Sequence, residues 1–141
     1  MTMNQLAEHI LAVAHENNNT VTNLHLQKIM YFTLQRALNN KLLNYNELLE
    51  LYDQHFLVWR YGPVIPTIYK KYSLYSASPI MISGYYSQKL SPLDNAIEEL
   101  LNTNPFRLVN QSHSEPFWKN HQREISGWRS EVEYTLKDVE N

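Results

Sequence analysis

A chain of 141 residues, 43% of them hydrophobic, is long enough for one domain with its own core. Three glycines are too few for a turn-rich barrel or a glycine phosphate cradle, and the absence of cysteine excludes disulfides, zinc–cysteine sites and thiol catalysis. A net charge of −2 gives no overall attraction to nucleic acid or to anionic lipid.

The first five residues are polar and uncharged, and no run of about 18 apolar residues follows. Neither a signal peptide nor a membrane span is expected, so the expected compartment is the cytoplasm. Thr2 and Gln5 have capping-box spacing, and Met3, Leu6, Ile10 and Val13 then recur at helical intervals. Asn17-Asn18-Asn19-Thr20 ends that helix as a polar loop. Thr22 or Asn23 can cap a second helix from Leu24 to about Leu38. Its Leu24, Leu26, Ile29, Met30, Leu34 and Leu38 cover more than one face, the pattern of a buried central helix. A short helix fits Asn46–Tyr52, and Phe56–Trp59 reads as extended. Gly62, Pro63 and Pro66 hold the next stretch out of regular structure, and Pro66 suits the first turn of a third helix carrying Ile68, Tyr69 and Tyr72.

Residues 76–90 fit a short strand or an ordered loop. Ser91 as N-cap with Pro92 at the first position then predicts a helix with Leu93, Ala96 or Ile97, and Leu100 or Leu101 on its apolar side. Asn102–Pro105 reads as a break, Phe106, Leu108 and Val109 as a short buried run, and Ser114 as the cap of a turn carrying Phe117 and Trp118. Ser130 and Glu133 have capping-box spacing, so a last helix is expected over Glu131–Val139. These elements predict a mainly α fold in a single domain over residues 1–141, a compact bundle of about six helices with at most a short β-hairpin.

Catalytic and metal-binding patterns are weak. The six histidines show no HxxxH or HxxEH spacing. Ser112-His113-Ser114-Glu115 are adjacent and cannot face one another as a triad, and no Gly-x-Ser-x-Gly elbow is present. Glu98, Glu99, Glu131 and Glu133 read as solvated helix faces. No enzyme activity, cofactor or metal is therefore expected. A helix–loop–helix over residues 3–38 suggests a DNA-binding regulator as the alternative, but the would-be recognition helix is apolar on several sides, so nucleic acid is an unexpected partner. Protein binding fits better. Ten tyrosines and three tryptophans are present, and Tyr61, Tyr69 and Tyr72 gather around Arg60, Lys70 and Lys71, the residue types of interface hot spots.

Three blocks of sequence together resemble the Panacea domain, the SocA-like antitoxin family of phages and bacterial mobile elements. The first is Thr22-Asn23-Leu24-His25-Leu26-Gln27-Lys28-Ile29-Met30-Tyr31-Phe32. The second, and the most specific, is Trp59-Arg60-Tyr61-Gly62-Pro63-Val64-Ile65-Pro66-Thr67-Ile68-Tyr69. The third is Leu108-Val109-Asn110-Gln111-Ser112-His113-Ser114-Glu115-Pro116-Phe117-Trp118. His25 stands where the family usually carries lysine. The resemblance implies a mainly helical domain that neutralises a toxin, usually encoded beside it, by direct contact. It also implies that some members deliver the toxin to a protease as adaptors, and it carries over no catalytic residue.

The expected partner surface is Arg60, Tyr61, Tyr69, Lys70 and Tyr72. Gly62, Pro63 and Pro66 are expected to stiffen the turn that aims the third helix. His113 and Trp118 fit either a polar–aromatic lock on the C-terminal part or direct toxin contact.

Overall fold

The computed structural model describes residues 1–141. The fold is mainly α, with eight short helices and one antiparallel hairpin. The two helices beyond the expected six lie in the C-terminal half and start at Pro105 and Pro116. Helix α1 (Met3–Glu16) begins where Thr2 accepts the Gln5 amide, and it buries Met3, Leu6, Ile10 and Val13. Helix α2 (Asn23–Asn39) is capped by Thr22, whose hydroxyl accepts from the His25 amide. Helix α3 (Tyr45–Leu51) starts in a full capping box of Asn44 and Glu47.

Strands β1 (Leu57–Trp59) and β2 (Gly62–Val64) pair with Leu57 opposite Val64 and Trp59 opposite Gly62. Pro66 opens α4 (Pro66–Lys71) from its first position. The chain from Ser76 to Ser87 forms an irregular strap across α1, neither strand nor helix. It is fastened where Ile80 donates to the Val21 carbonyl, Tyr85 to the Glu8 carbonyl and Ser87 to His9 Nδ1. Gly84 has φ +72°, and a Cβ there would lie 2.2 Å from the Glu8 carbonyl oxygen, so only glycine lets the strap seat on α1.

Helix α5 (Asp94–Leu101) does not begin at Ser91. Ser91 and Pro92 lie inside a preceding 3₁₀ segment, Gln88–Leu93, which runs straight into α5 without a side-chain cap. Asn104 accepts from the Phe106 amide and Pro105 takes the first position of α6 (Pro105–His113), so the expected break is a helix start. Phe106 is accordingly exposed, while Leu108, Val109 and Ser112 face inward. Helix α7 (Pro116–His121) starts from Glu115 rather than Ser114, which closes α6.

The expected helix over Glu131–Val139 is replaced by two elements. Residues 130–134 run extended beside β1. Val58 donates to the Val132 carbonyl, Tyr134 donates to the Phe56 carbonyl, and Leu57 bridges Glu133 in antiparallel sense. Ser130 and Tyr134 are buried there while Glu131 and Glu133 are exposed, the period-two alternation of a strand. That alternation overrides the Ser130–Glu133 spacing, and the Ser130 hydroxyl donates to the Val58 carbonyl at 2.6 Å instead. Helix α8 (Leu136–Glu140) begins later, from a capping box of Thr135 and Asp138.

One hydrophobic core runs from Met3 to Val139. Helix α2 is its axis, in contact with α1, α3, α5, α6, α8 and β2. Leu26, Ile29, Met30, Leu34 and Leu38 are buried as the sequence predicts, and Leu24 is half-buried. Asn39, at the helix end, is the sole exposed residue of α2. His25 is buried against α5, bonded through Nε2 to the Leu100 carbonyl, and burial lowers its pKa. It therefore serves as a neutral tie at neutral pH. Truncating Leu26 to alanine at the centre of this axis is expected to cost about 2–5 kcal/mol, read as a shift in the urea midpoint; a change under about 1 kcal/mol would contradict the central placement.

Candidate interaction site

The stretch from Trp59 to Tyr69 turns sharply and is interrupted by two prolines, so it cannot satisfy its own main chain. Side chains of the helices do so. Trp118 Nε1 donates to the Trp59 carbonyl at 2.9 Å, and His113 Nε2 bonds to the Arg60 carbonyl at 2.8 Å. Lys28 Nζ donates to the Pro63 carbonyl at 2.8 Å. The Ile65 amide donates to Gln27 Oε1 at 2.9 Å, and Asn23 Nδ2 donates to the Tyr69 carbonyl at 2.9 Å. Every one of these side chains belongs to the first or third sequence block, and every main-chain group belongs to the second.

Gly62 carries the turn, with φ +101°. A Cβ there would lie 2.5 Å from Ser112 Oγ and 2.8 Å from Lys28 Cε, so both the backbone conformation and the space require glycine. Gly62→Ala is expected to cost about 2 kcal/mol or more in thermal or urea unfolding, and a loss below about 0.5 kcal/mol would mean that the turn relaxes freely.

His113 stacks on Trp118 with ring centroids 3.8 Å apart. The Arg60 carbonyl can only accept, so Nε2 of His113 holds the proton. Burial lowers the His113 pKa against that hydrogen bond, and the nearby Lys28 charge adds to the lowering. The pair locks α6 and α7 onto the hairpin. Deeper in, the Tyr31 hydroxyl donates to Glu115, and Gln35 donates both to the same carboxylate and to the Val139 carbonyl. Burial raises the Glu115 pKa, and the Tyr31 and Gln35 bonds oppose that rise.

Lys28 is completely buried, and burial lowers its amine to about 7. An unfolded lysine titrates near 10.5, so between pH 7 and 10 the unfolded chain holds more protons than the folded one. Stability carried by this residue therefore rises with pH across that window and is flat below it. Relative to Lys28→Met, the wild type is expected to gain roughly 1 kcal/mol per pH unit from pH 7 to 9 in chemical denaturation. Parallel pH profiles for the two proteins would show that the amine is not dehydrated.

What this frame presents to solvent is a cluster of rings and arginines. Arg60 and Tyr61 stand at the tip of the hairpin, and both are exposed. Tyr61 leans on Trp128 with centroids 5.3 Å apart, and the Arg60 guanidinium lies 6.0 Å from the Trp128 ring. Trp128 is 59% exposed. Arg129 lies 4.5 Å over the buried Trp59 ring, whose edge meets Tyr69. The Arg60 amide donates to the Trp128 carbonyl, which ties the second loop to the hairpin tip.

Of the residues expected on the partner surface, Arg60, Tyr61, Tyr69 and Lys70 are exposed. Tyr72 is not. It is 1% exposed, its hydroxyl donates to Glu8, and Lys71 meets the same carboxylate. Tyr72 packs in the core because it lies four residues after Ile68 on the inward face of α4. Gly62 and Pro63 do not keep their stretch out of regular structure as expected: they are buried in β2, opposite Trp59 and Val58, because the tight turn brings them back along β1. Trp128 and Arg129 were not among the expected site residues. Their local signal is Ser126-Gly127, a turn pair closed by a Ser126–Arg129 bridge with Gly127 at φ +68°. No helix is long and apolar enough to cross a membrane. No family model, curated protein or solved structure matches the chain.

Proposed function

We propose that this chain is an antitoxin-type protein-binding module of the cytoplasm, which neutralises a partner toxin by direct contact or delivers it to a protease. The observation that carries the reading is the exposed cluster of Arg60, Tyr61, Trp128 and Arg129 on a main chain pinned by the buried Trp118 and the half-buried His113. Tyrosine, tryptophan and arginine are the residue types that dominate interface energetics. A turn already ordered in the free protein loses little entropy when a partner docks. The resemblance of the three blocks to the Panacea domain supports the same reading. It also supplies the kind of partner, a toxin encoded beside this chain, and the protease as the other route by which the toxin is silenced.

The alternative of a DNA-binding regulator needs α2 as its reading helix. That helix exposes only Asn39, so its polar face is not free to enter a groove. The chosen reading requires no cofactor and no catalytic residue.

The test is co-expression with the product of the adjacent reading frame of its own genome, in cells whose growth that product arrests. Wild type is expected to restore growth. Tyr61→Ala and Trp128→Ala are each expected to weaken binding by about 2 kcal/mol and to reduce rescue while leaving circular dichroism unchanged. Tyr72→Ala is expected to unfold the chain rather than spare it, because that ring is core. Rescue at wild-type level by folded Tyr61→Ala and Trp128→Ala variants would remove this surface from the interaction, and an adjacent product without toxicity would remove the antitoxin reading.

A further inference from the structure

The chemistry of the exposed cluster specifies more than a protein partner. Arg60 and Arg129 take part in none of the ion pairs of this structure, which join Met1 to Glu50, His9 to Asp94, Arg36 to Glu99, His55 to Glu133 and Lys71 to Glu8. Each guanidinium lies near an indole instead, Arg60 by Trp128 and Arg129 over Trp59. Arg129, 4.5 Å over its ring, spends the face of its guanidinium there, and Arg60, 6.0 Å from its ring, stands looser; in both the N–H groups are left without a carboxylate partner. Those donors match the two oxygens of a carboxylate and bind it as a fork. Beside Arg60, Tyr61 and Trp128 offer exposed ring surface, and Arg129 follows Trp128 in the chain. The cluster thus joins unpaired positive charge to apolar area on a chain whose net charge is −2.

We propose that the segment docking here is acidic, with carboxylates that seat on Arg60 and Arg129 and an apolar or aromatic side chain that covers Tyr61 and Trp128. The proposal rests on the reading of this face as the partner surface, and it specifies the partner's chemistry. Phosphates also suit arginine, and bases also stack on indole. Tracking a nucleic-acid backbone, however, takes a run of positive charges, and a net-negative chain with two arginines free of ion pairs at this face is better matched to a few carboxylates.

The probe is a short fluorescent peptide of Asp, Glu and Phe, compared by anisotropy with its Asn, Gln and Phe counterpart and with a labelled oligothymidylate. Wild type is expected to bind the acidic peptide in preference, more weakly as salt rises. The doubly substituted Arg60→Gln, Arg129→Gln protein is expected to lose about tenfold or more in affinity with an unchanged melting temperature. Equal binding of the two peptides, or full affinity in the arginine variant, would overturn the proposal. Tighter, arginine-dependent binding of the oligothymidylate would also overturn it and assign the cluster to nucleic acid.

The growth-rescue assay on the same variants separates the two levels. If Tyr61→Ala and Trp128→Ala lose rescue while the arginine variant keeps it, the face still docks the partner and the acidic assignment is wrong. If the ring variants and the arginine variant all rescue fully, the face itself is wrong and the assignment falls with it.

Discussion

Two prolines and a positive-φ glycine within a few residues leave the stretch after Trp59 with main-chain groups that no regular element can pair. Buried carbonyls without partners are expensive, about 1–3 kcal/mol each. The fold answers with side chains. Trp118 and His113 reach the carbonyls of Trp59 and Arg60 from one side, and Lys28, Gln27 and Asn23 reach Pro63, Ile65 and Tyr69 from α2. This requirement explains why three separated blocks of sequence occur together. Each supplies one part of a single hydrogen-bonded frame, and a change in any part leaves an orphaned group in another.

The frame also explains the composition of α2. A central helix is expected to be apolar, yet α2 buries Asn23, His25, Gln27, Lys28 and Thr33 beside its leucines and aromatics. Three of these polar residues hold the hairpin and α4, and His25 holds α5. Lys28 shows how demanding the arrangement is. Dehydrating an amine so fully moves its pKa to about 7, a cost carried by the native state to satisfy one carbonyl and to fill the space against Gly62. An apolar replacement would relieve that cost but abandon the Pro63 carbonyl.

Helices with strong periodicity were legible in the sequence, because the same residues that set the pattern set the burial. The stripe of α1 and the apolar residues on several faces of α2 are such cases. The C-terminal third was less legible because two local signals competed. Asn104-Pro105 carries both a helix-start and a loop signature, and tertiary packing of Leu108, Val109 and Ser112 decides for helix. Ser130 and Glu133 match a cap, yet Phe56 and Val58 need partners on the free edge of β1, and residues 130–134 supply them. Tyr72 was misplaced for a related reason. Tyr69 lies in a helix of only six residues and Tyr72 is its C-terminal cap, and their three-residue spacing alone does not say which ring meets the core. Trp128 and Arg129 lay outside any periodic element, so only their contact with the hairpin reveals them.

The distribution of rigidity is what connects this architecture to the proposed recognition. The rings that must not move, Trp59 and Trp118, are buried and tied into the frame, with Trp118 bonded to the Trp59 carbonyl. The rings that meet solvent, Tyr61 and Trp128, sit at or next to fixed points: Tyr61 follows the Arg60 carbonyl held by His113, and the Trp128 carbonyl is itself held by the Arg60 amide. Exposed aromatic residues on a mobile loop would be ordered only at a cost in binding free energy. Here the ordering is already supplied by folding, through the Trp118, His113 and Arg60–Trp128 hydrogen bonds at the base of the tip. The same bonds make the surface inseparable from the core: loosening His113 or Trp118 would leave Arg60 and Tyr61 in place chemically but free conformationally. Loss of recognition and loss of stability are therefore expected to diverge only at the outermost atoms, the ring faces of Tyr61 and Trp128 and the N–H edges of Arg60 and Arg129.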